Sequence, residues 1–149
     1  MRDSHDSAAT RTVVGVDGSA GADRALDWGL ARAAVHGEDV VALRAWHGHL
    51  RHDADGQPRS QPTVADWRHE HELAVLRSHL QPGRDRHPDV RLVPDAVHGH
   101  PGHLLSVASQ HAALLVIGVG HRGPVAEVLL GSVAQSVLHH SRCPVAVVR

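Results

Sequence analysis

The amino-acid sequence predicts an α/β protein in which a five-stranded parallel sheet lies between two layers of helices. Short apolar segments alternate along the chain with longer segments that show helical spacing. The apolar segments carry hydrophobic residues at consecutive positions, which is typical of strands that are buried on both faces. With 149 residues, the chain has the length of a single domain and can bury about 70% of the surface that it exposes when unfolded.

The first strand is predicted at residues 12–16, after a polar segment, 1–10, that we expect to be a flexible tail. Ser19 is placed to cap the helix that follows. Gly37 is expected to end this helix, because glycine readily adopts the left-handed conformation found at helix termini. The apolar face of the helix is predicted to comprise Ala22, Ala25, Leu26, Gly29 and Ala33, widened by Trp28 and Leu30.

A second strand is predicted at residues 39–46, and a polar loop follows it to about residue 60. Pro82-Gly83 is expected to end the next helix, because both residues disfavour helical backbone. A third strand follows at residues 90–97, where Pro94 has no N–H to donate and therefore indicates a sheet edge or a bulge. The buried face of the helix is predicted to hold Trp67, Leu73, Ala74, Leu76 and Leu80.

Two further helix–strand pairs complete the pattern. Alternating strands and helices build a parallel sheet that helices cover, and ligands bind such sheets at the carboxyl ends of the strands, near the point where the strand order reverses. The two strands are predicted at residues 114–117 and 145–148. The helices before them are indicated by the spacing of Leu104, Val107, Ala108 and His111, and of Leu130, Val133, Ala134 and Val137.

The composition argues against several classes of function. Fifteen arginines against sixteen acidic residues give a net charge of -1, whereas a nucleic-acid-binding protein favours a basic surface. The absence of lysine excludes the phosphate-binding loop that depends on a lysine side chain. The N-terminus is polar, no apolar run approaches the roughly 20 residues of a membrane span, and Cys143 has no intrachain partner. We therefore expect a cytoplasmic protein that binds neither nucleic acid nor membranes.

Two segments are candidates for a binding site at the carboxyl edge of the sheet. Asp17 directly follows the first strand, where its carboxylate could accept hydrogen bonds from a ribose or an adenine, or could simply stabilise the turn before the helix. Gly118 follows the fourth strand and would allow a ligand to approach the backbone closely. Ser132 offers a hydroxyl and an N–H at a helix N-terminus, which is a favourable position for a phosphate.

These segments resemble the motifs of universal stress proteins, and the resemblance covers residues 11–149, which we treat as one domain of this family. The nucleotide-binding subgroup carries a glycine, two residues, a second glycine, nine residues, and a glycine followed by Ser or Thr. Gly118, Gly131 and Ser132 occupy the expected positions of this pattern. The other matching segments are Val14-Gly15-Val16-Asp17-Gly18-Ser19, Ala45-Trp46, Gly99-His100-Pro101 and Cys143-Pro144-Val145.

The resemblance implies a flavodoxin-like, Rossmann-like sheet of strand order 3-2-1-4-5 that binds ATP, with which Mg²⁺ can be associated. Family members commonly dimerise through the last strand, here Val145 to Val148, although an apolar run of this kind is equally typical of a buried core strand. By position, Asp17 and Ala45 would lie at the ribose and the adenine, Trp46 beside the adenine, Ile117 and Gly118 at the ligand's edge, and Gly131, Ser132 and Val133 along the phosphates.

His121 departs from the family pattern because it occupies the position of the second glycine. A side chain there would obstruct the approach of a phosphate or strain a backbone of positive φ. Alternatively, a protonated His121 would itself contact the phosphates. A shifted register makes Gly120 and Gly123 the glycine pair, but it leaves only seven residues before Gly131. We prefer the first register, because it retains the full length of the loop.

The sixteen histidines suggest a competing function. The pattern His-Gly-His-x-x-His begins at His47 and again at His98, after two strands that should be neighbours in the sheet. Imidazoles collected at one edge could bind zinc, nickel or copper. The alternative is that a histidine-rich composition places side chains on solvated loops. Because no cysteine or carboxylate completes a clear set of ligands, we predict no metal site.

Together these features predict a homodimeric stress-response protein in which an adenine nucleotide is a regulatory ligand. No residue is placed as an obvious general base, so at most slow ATP hydrolysis is expected. The alternatives are a stress protein that acts through protein partners without a nucleotide, and a variant that binds metal through its histidines.

Overall fold

The computed structural model describes residues 11–47, 64–120 and 130–149, so that the predicted tail, most of the loop after the second strand, and His121 lie outside the described residues. The strands are β1 (Arg11–Gly15), β2 (Asp39–Trp46), β3 (Leu92–His98), β4 (Leu114–Gly118) and β5 (Val145–Val148). The helices are α1 (Ala20–His36), α2 (Val64–Arg86), α3 (Pro101–Ala108) and α4 (Ser132–His140), and a 3-10 turn follows α3 at Ser109–His111.

The strands form one parallel sheet of order β3-β2-β1-β4-β5, which confirms the predicted fold class. From β1 the chain moves outward to β2 and β3, and it then returns to β4 on the other side of β1. The strand order therefore reverses between β1 and β4. Pro94 lies in β3, which is an edge strand, as its missing N–H predicts.

Adjacent side chains of each strand face opposite sides of the sheet, so the domain has two hydrophobic clusters. Val14 packs on one side among residues of α1 and α2, including Leu30 and Leu80. Val13 packs on the other side with Leu105 of α3 and with residues of α4. The two clusters consist largely of Leu, Val and Ala, and they make up the interior of the three-layer architecture.

The ends of α1 are those that the sequence predicts. Ser19 accepts a hydrogen bond from the Ala22 N–H at 3.2 Å, and Gly37 adopts φ 68° while its N–H donates to the Ala33 carbonyl. Leu30 is fully buried, but Trp28 is exposed, so the prediction that Trp28 widens the buried face is wrong. The apolar residues of α1 cover a narrower arc than their spacing alone suggests.

Helix α2 continues past Pro82 and Gly83 to Arg86, so the predicted end of this helix is wrong. Gly83 is buried, and a Cβ at this position would lie 2.8 Å from Leu30 Cδ1. The close packing of α2 on α1 therefore outweighs the low helix propensity of these two residues. Leu76 and Leu80 are buried as predicted, whereas Ala74 is exposed and Trp67 is 70% exposed.

Helix α3 buries only part of the predicted face: Leu104 and Ala108 pack, partly buried, against the core cluster that contains Leu105. Val107 is 45% exposed and His111 is exposed, whereas Gly102, Leu105 and Ser109 are buried. A Cβ at Gly102 would lie 2.8 Å from Ser136 Oγ, which shows how closely α3 approaches α4. Because α3 is apolar nearly all round, its sequence does not specify which face is buried. The contact with α4 determines the buried face.

Helix α4 and strand β5 agree with the predictions. Ala134 and Val137 are buried, and Leu130 and Val133 are partly buried against the same cluster. None of the described helices is long and apolar enough to cross a membrane.

One polar cluster joins the start of β1 to the end of α1. The fully buried hydroxyl of Thr12 donates to Glu38 Oε2 at 2.6 Å, and Arg32 Nη1 donates to the same oxygen at 2.6 Å. Burial alone would raise the pKa of Glu38, but the hydrogen bonds from Thr12 and Arg32, with the positive charge of Arg32, hold this pKa below its usual range.

Candidate functional site

A cavity of about 770 Å³ opens at the carboxyl ends of β1, β2 and β4. It therefore lies where the strand order reverses, which is the position expected for a ligand site in a sheet of this topology. The described residues that line it are Gly15, Val16, Asp17, Ser19, Ala22, Leu43, Ala45, His47, Pro101, Leu105, Ile117, Gly118, Val119, Gly120, Leu130, Gly131, Ser132, Val133 and Ala134.

Seven of the eight residues that the sequence analysis selects as a site line this one cavity. The eighth, His121, lies outside the described residues. The seven are Asp17, Ala45, Ile117, Gly118, Gly131, Ser132 and Val133. The fold thus brings together residues that are up to 116 positions apart in the chain, counted from Asp17 to Val133.

Asp17 is exposed in the turn between β1 and α1. Its Oδ1 accepts a hydrogen bond from the Ser19 N–H at 2.9 Å, which is the local turn-stabilising interaction that the sequence analysis gives as one interpretation. The same side chain lines the cavity, so stabilising the turn and facing a ligand are compatible roles.

Gly118 has no room for a side chain because α1 packs directly on the end of β4. A Cβ at Gly118 would overlap the carbonyl group of Gly21 in the first turn of α1. Conversely, a Cβ at Gly21 would lie 3.0 Å from the Val119 carbonyl oxygen. The close approach that Gly118 allows in this structure is therefore that of the α1 backbone, and Gly118 also lines the cavity.

Gly131 differs from Gly118 because no atom of the described residues lies within 4 Å of the position that its Cβ would take. It precedes α4 with φ -64°, a conformation open to any residue, and no side chain caps the helix there. Gly131 therefore leaves open space beside the N-terminus of α4. The partial positive charge of a helix N-terminus, together with the Ser132 hydroxyl, gives this part of the cavity a preference for anionic groups.

The end of β2 presents Ala45 to the cavity and turns Trp46 to the opposite side of the sheet. Trp46 is 7% exposed and packs in the cluster formed with α1 and α2, where its Nε1 has no hydrogen-bond partner among the described residues. Because successive side chains of a strand alternate between its faces, Trp46 points away from the side of the sheet that Ala45 presents to the cavity. The prediction that Trp46 borders the adenine is wrong.

The charged groups around the described part of the cavity are few. Asp17 is the one carboxylate and His47 the one imidazole among the described lining residues. Arg44 at the end of β2 is paired with Glu72 of α2 at 2.9 Å, and Arg24 donates to the Val119 carbonyl at 3.4 Å. The N-terminus of α4 is consequently the main anion-attracting feature of this part of the site.

His47 and Pro101 line the cavity, but the sequence analysis does not include them in the site. Each directly follows a strand or the short turn after one, at the edge where ligands bind. Their positions in the chain were therefore a usable signal. The path of the β3–α3 turn, where Gly99 adopts φ 143°, determines which side chains of that edge face the cavity.

The described fold and the cavity at its strand-order reversal define an α/β protein with a candidate ligand site. The sequence pattern of the universal stress protein family matches residues 9–149, and the chain belongs to this family. A universal stress protein of Mycobacterium tuberculosis H37Rv is 33% identical over 139 residues, which cover 92% of this chain and 44% of that protein. A relative from Mycolicibacterium smegmatis is 32% identical over 147 residues, covering 97% and 47% respectively. The chain thus spans about half the length of these curated relatives.

Solved structures of universal stress proteins share this fold. The protein UspA from Lactobacillus plantarum has a TM-score of 0.70 and 24% identity, with 94% of this chain and 97% of that chain covered. A universal stress protein solved in complex with cAMP has a TM-score of 0.64, 24% identity and coverages of 94% and 96%. One from Archaeoglobus fulgidus, solved in complex with dAMP, has a TM-score of 0.56, 18% identity and coverages of 94% and 98%.

Proposed function

We propose that this chain binds an adenine nucleotide, with ATP as the ligand, and that occupancy of the site is a regulatory signal in a stress response. The observation that carries the proposal is that seven residues selected from the sequence converge on one cavity at the strand-order reversal. Related proteins of the same fold have been solved with cAMP and with dAMP, which supports an adenine nucleotide as the class of ligand.

In this proposal the nucleotide spans the cavity from β2 to α4. Asp17 and Ala45 contact the ribose and the adenine, while Ile117 and Gly118 border the ligand. The phosphates lie at the N-terminus of α4, beside Gly131, Ser132 and Val133, where the helix dipole and the Ser132 hydroxyl attract them. The volume of about 770 Å³ is within the range of roughly 300–1,000 Å³ that is usual for small-molecule sites.

The same site is better suited to holding ATP than to hydrolysing it. Asp17, the one carboxylate in the described lining, already accepts a hydrogen bond from the turn and lies at the proposed ribose end, away from α4. We therefore propose at most slow hydrolysis, with any Mg²⁺ held chiefly by the phosphates. The protein would act in the cytoplasm as a homodimer, with residues 11–149 as its universal stress protein domain.

The decisive experiment is a calorimetric titration of the protein with ATP. Calorimetry is preferred to tryptophan emission because Trp46 lies on the other side of the sheet. Ala45→Leu fills the proposed adenine end of the cavity and should weaken ATP binding about 10-fold or more, equivalent to ~1.4 kcal/mol. The matched control is Ala31→Leu on the exposed surface of α1, which should bind ATP like the wild type.

Absence of heat from the wild type at millimolar ATP would overturn the proposal and leave the alternative of a stress protein that acts through protein partners. The same titration with His121→Gly resolves the role of His121, which stands where the family pattern has a glycine. Tighter binding by this variant would show that His121 obstructs the phosphates, and weaker binding would show that it contacts them.

A further inference from the structure

Two histidines from neighbouring strand ends face each other, and one of them, His47, lines the cavity. The ring centroids of His47, after β2, and His100, after β3, are 6.3 Å apart, and the ring planes are inclined by 61°. Both side chains are exposed. They belong to the two His-Gly-His-x-x-His segments of the sequence, but they are not equivalent positions of the repeat, since His47 is the first histidine of its segment and His100 the second.

The backbone holds this pair in place. Trp46 and His98 are register partners at the ends of β2 and β3, and the Gly99 N–H donates to the Trp46 carbonyl at 3.0 Å. Gly99 adopts φ 143°, a conformation that favours glycine, so the chain can turn here and bring His100 over the end of β2. The His100 carbonyl accepts from the Leu104 N–H at 3.0 Å, while its side chain makes no capping hydrogen bond to α3.

We propose that His47 and His100 together bind one divalent first-row transition-metal ion of the class Zn²⁺, Ni²⁺ or Cu²⁺. Imidazole nitrogen is a preferred ligand of these ions. Two imidazoles that share an ion at metal–nitrogen distances of about 2.0–2.1 Å have ring centroids no more than about 6.5 Å apart. The observed 6.3 Å is near the upper end of this limit, so it suits ligands on nearly opposite sides of an ion, and the exposed side chains must turn closer together to hold Zn²⁺ in its usual tetrahedral geometry.

Of the described residues, two supply ligands in this site, and water would complete the coordination. The described residues contain no group of three or more His, Cys, Asp or Glu side chains that could hold an ion. The sequence predicts no metal site because no cysteine or carboxylate completes a set of ligands. Only the tertiary structure shows that two imidazoles from neighbouring strand ends face each other.

Some other described histidines already make contacts of their own. His98 packs edge-on against Trp46, with ring centroids 4.6 Å apart, and His79 is paired with Asp23 at 2.6 Å. His139 and His140 have centroids 6.4 Å apart, but they are consecutive in α4, and His140 Nδ1 is hydrogen-bonded to the Ser136 carbonyl at 2.8 Å. This second pair therefore offers a matched control for the first.

The test is a calorimetric titration of tag-free, nucleotide-free protein with ZnCl₂ and, separately, NiCl₂. The wild type should bind either ion, and His47→Ala and His100→Ala should each lose one equivalent, with affinity at that site lowered about 100-fold because one ligand cannot replace a chelating pair. The double variant should lose no more than either single variant, since both residues hold one ion. His139→Ala should bind like the wild type.

The proposal is overturned if the wild type binds neither ion, if both single variants retain the wild-type stoichiometry and affinity, or if His139→Ala loses the same equivalent. Because His47 and His100 are exposed, both variants should unfold at the wild-type temperature, and this measurement separates loss of a ligand from loss of the fold. No nucleotide is present in the titration, so its outcome is independent of the ATP experiment.

Discussion

Gly118 and Gly131 belong to the same glycine motif but lack a side chain for different physical reasons. At Gly118 the space of a Cβ is taken by the backbone of Gly21, so the residue sets how closely α1 packs on β4. At Gly131 the described residues leave this space open, and it borders the proposed phosphate site. One glycine therefore maintains the fold that shapes the cavity, and the other leaves room inside it.

We expect Gly118→Ala to lower the free energy of unfolding by about 3 kcal/mol, since backbone on both sides must move to relieve the overlap. Gly131→Ser should change it by less than about 1 kcal/mol, because serine is a favourable residue at a helix N-cap. Urea denaturation of both variants measures this difference. Wild-type stability of Gly118→Ala would mean that α1 can withdraw from β4 without cost.

At the level of the secondary-structure elements, helix packing determines features that local sequence leaves open. Helix α2 continues beyond Pro82 because Gly83 lets it pack closely on Leu30 of α1. The buried face of α3 is determined by the close contact of Gly102 with Ser136 of α4. Polar contacts between elements also contribute. Hydrogen bonds among Thr12, Arg32 and Glu38 connect β1 with α1 and with the segment between α1 and β2.

The Thr12–Arg32–Glu38 cluster predicts a pH-dependent contribution to stability. The folded-state pKa of Glu38 is held below its usual value of 4.5, so its stabilising effect is present at neutral pH, and it is lost as the pH falls through the lowered pKa. Glu38→Gln should therefore reduce the free energy of unfolding by about 1–2 kcal/mol at pH 7.

Urea denaturation of the wild type and of Glu38→Gln, measured at intervals from pH 7 to pH 3, tests this effect. The difference between the two proteins should shrink below pH 4.5. Glu70→Gln, at an exposed position of α2, serves as the control and should match the wild type throughout. A difference for Glu38→Gln that is constant over the whole range would show that the charge of Glu38 is not its source.

At the scale of the whole molecule, the parallel sheet has two edges of different character. β3 carries Pro94 at one edge, while β5 at the other edge is a short run of Val and Ala in which Val147 is 38% exposed. An exposed apolar edge strand invites pairing with another chain. This supports the proposed homodimer through β5.

Val147→Lys should convert such a dimer to a monomer, because it places a charge on the pairing edge. The measurement is the molar mass by light scattering after size exclusion. Val35→Lys, at an 80% exposed position of α1, is the control and should leave the mass unchanged. A wild type with the mass of one chain would contradict the dimer itself, and a dimeric Val147→Lys variant would place the interface elsewhere.

Local sequence signals predicted much of this architecture and the location of the candidate site. Strand periodicity, the Ser19 and Gly37 caps and the position of Pro94 depend on residues close together in the chain, and the structure agrees with each. The site was predictable because ligand-facing loops of a parallel sheet follow strand ends, so that Asp17 and Ser132 converge once the strand order is known.

The sequence by itself therefore determined the strands, the caps, the family and the edge of the sheet at which a ligand would bind. Only the tertiary structure decided that α2 continues through Pro82, that Trp46 lies on the opposite face from the cavity, and that His47 faces His100. These features depend on contacts between residues far apart in the chain, where packing and the turn at Gly99 outweigh local propensity.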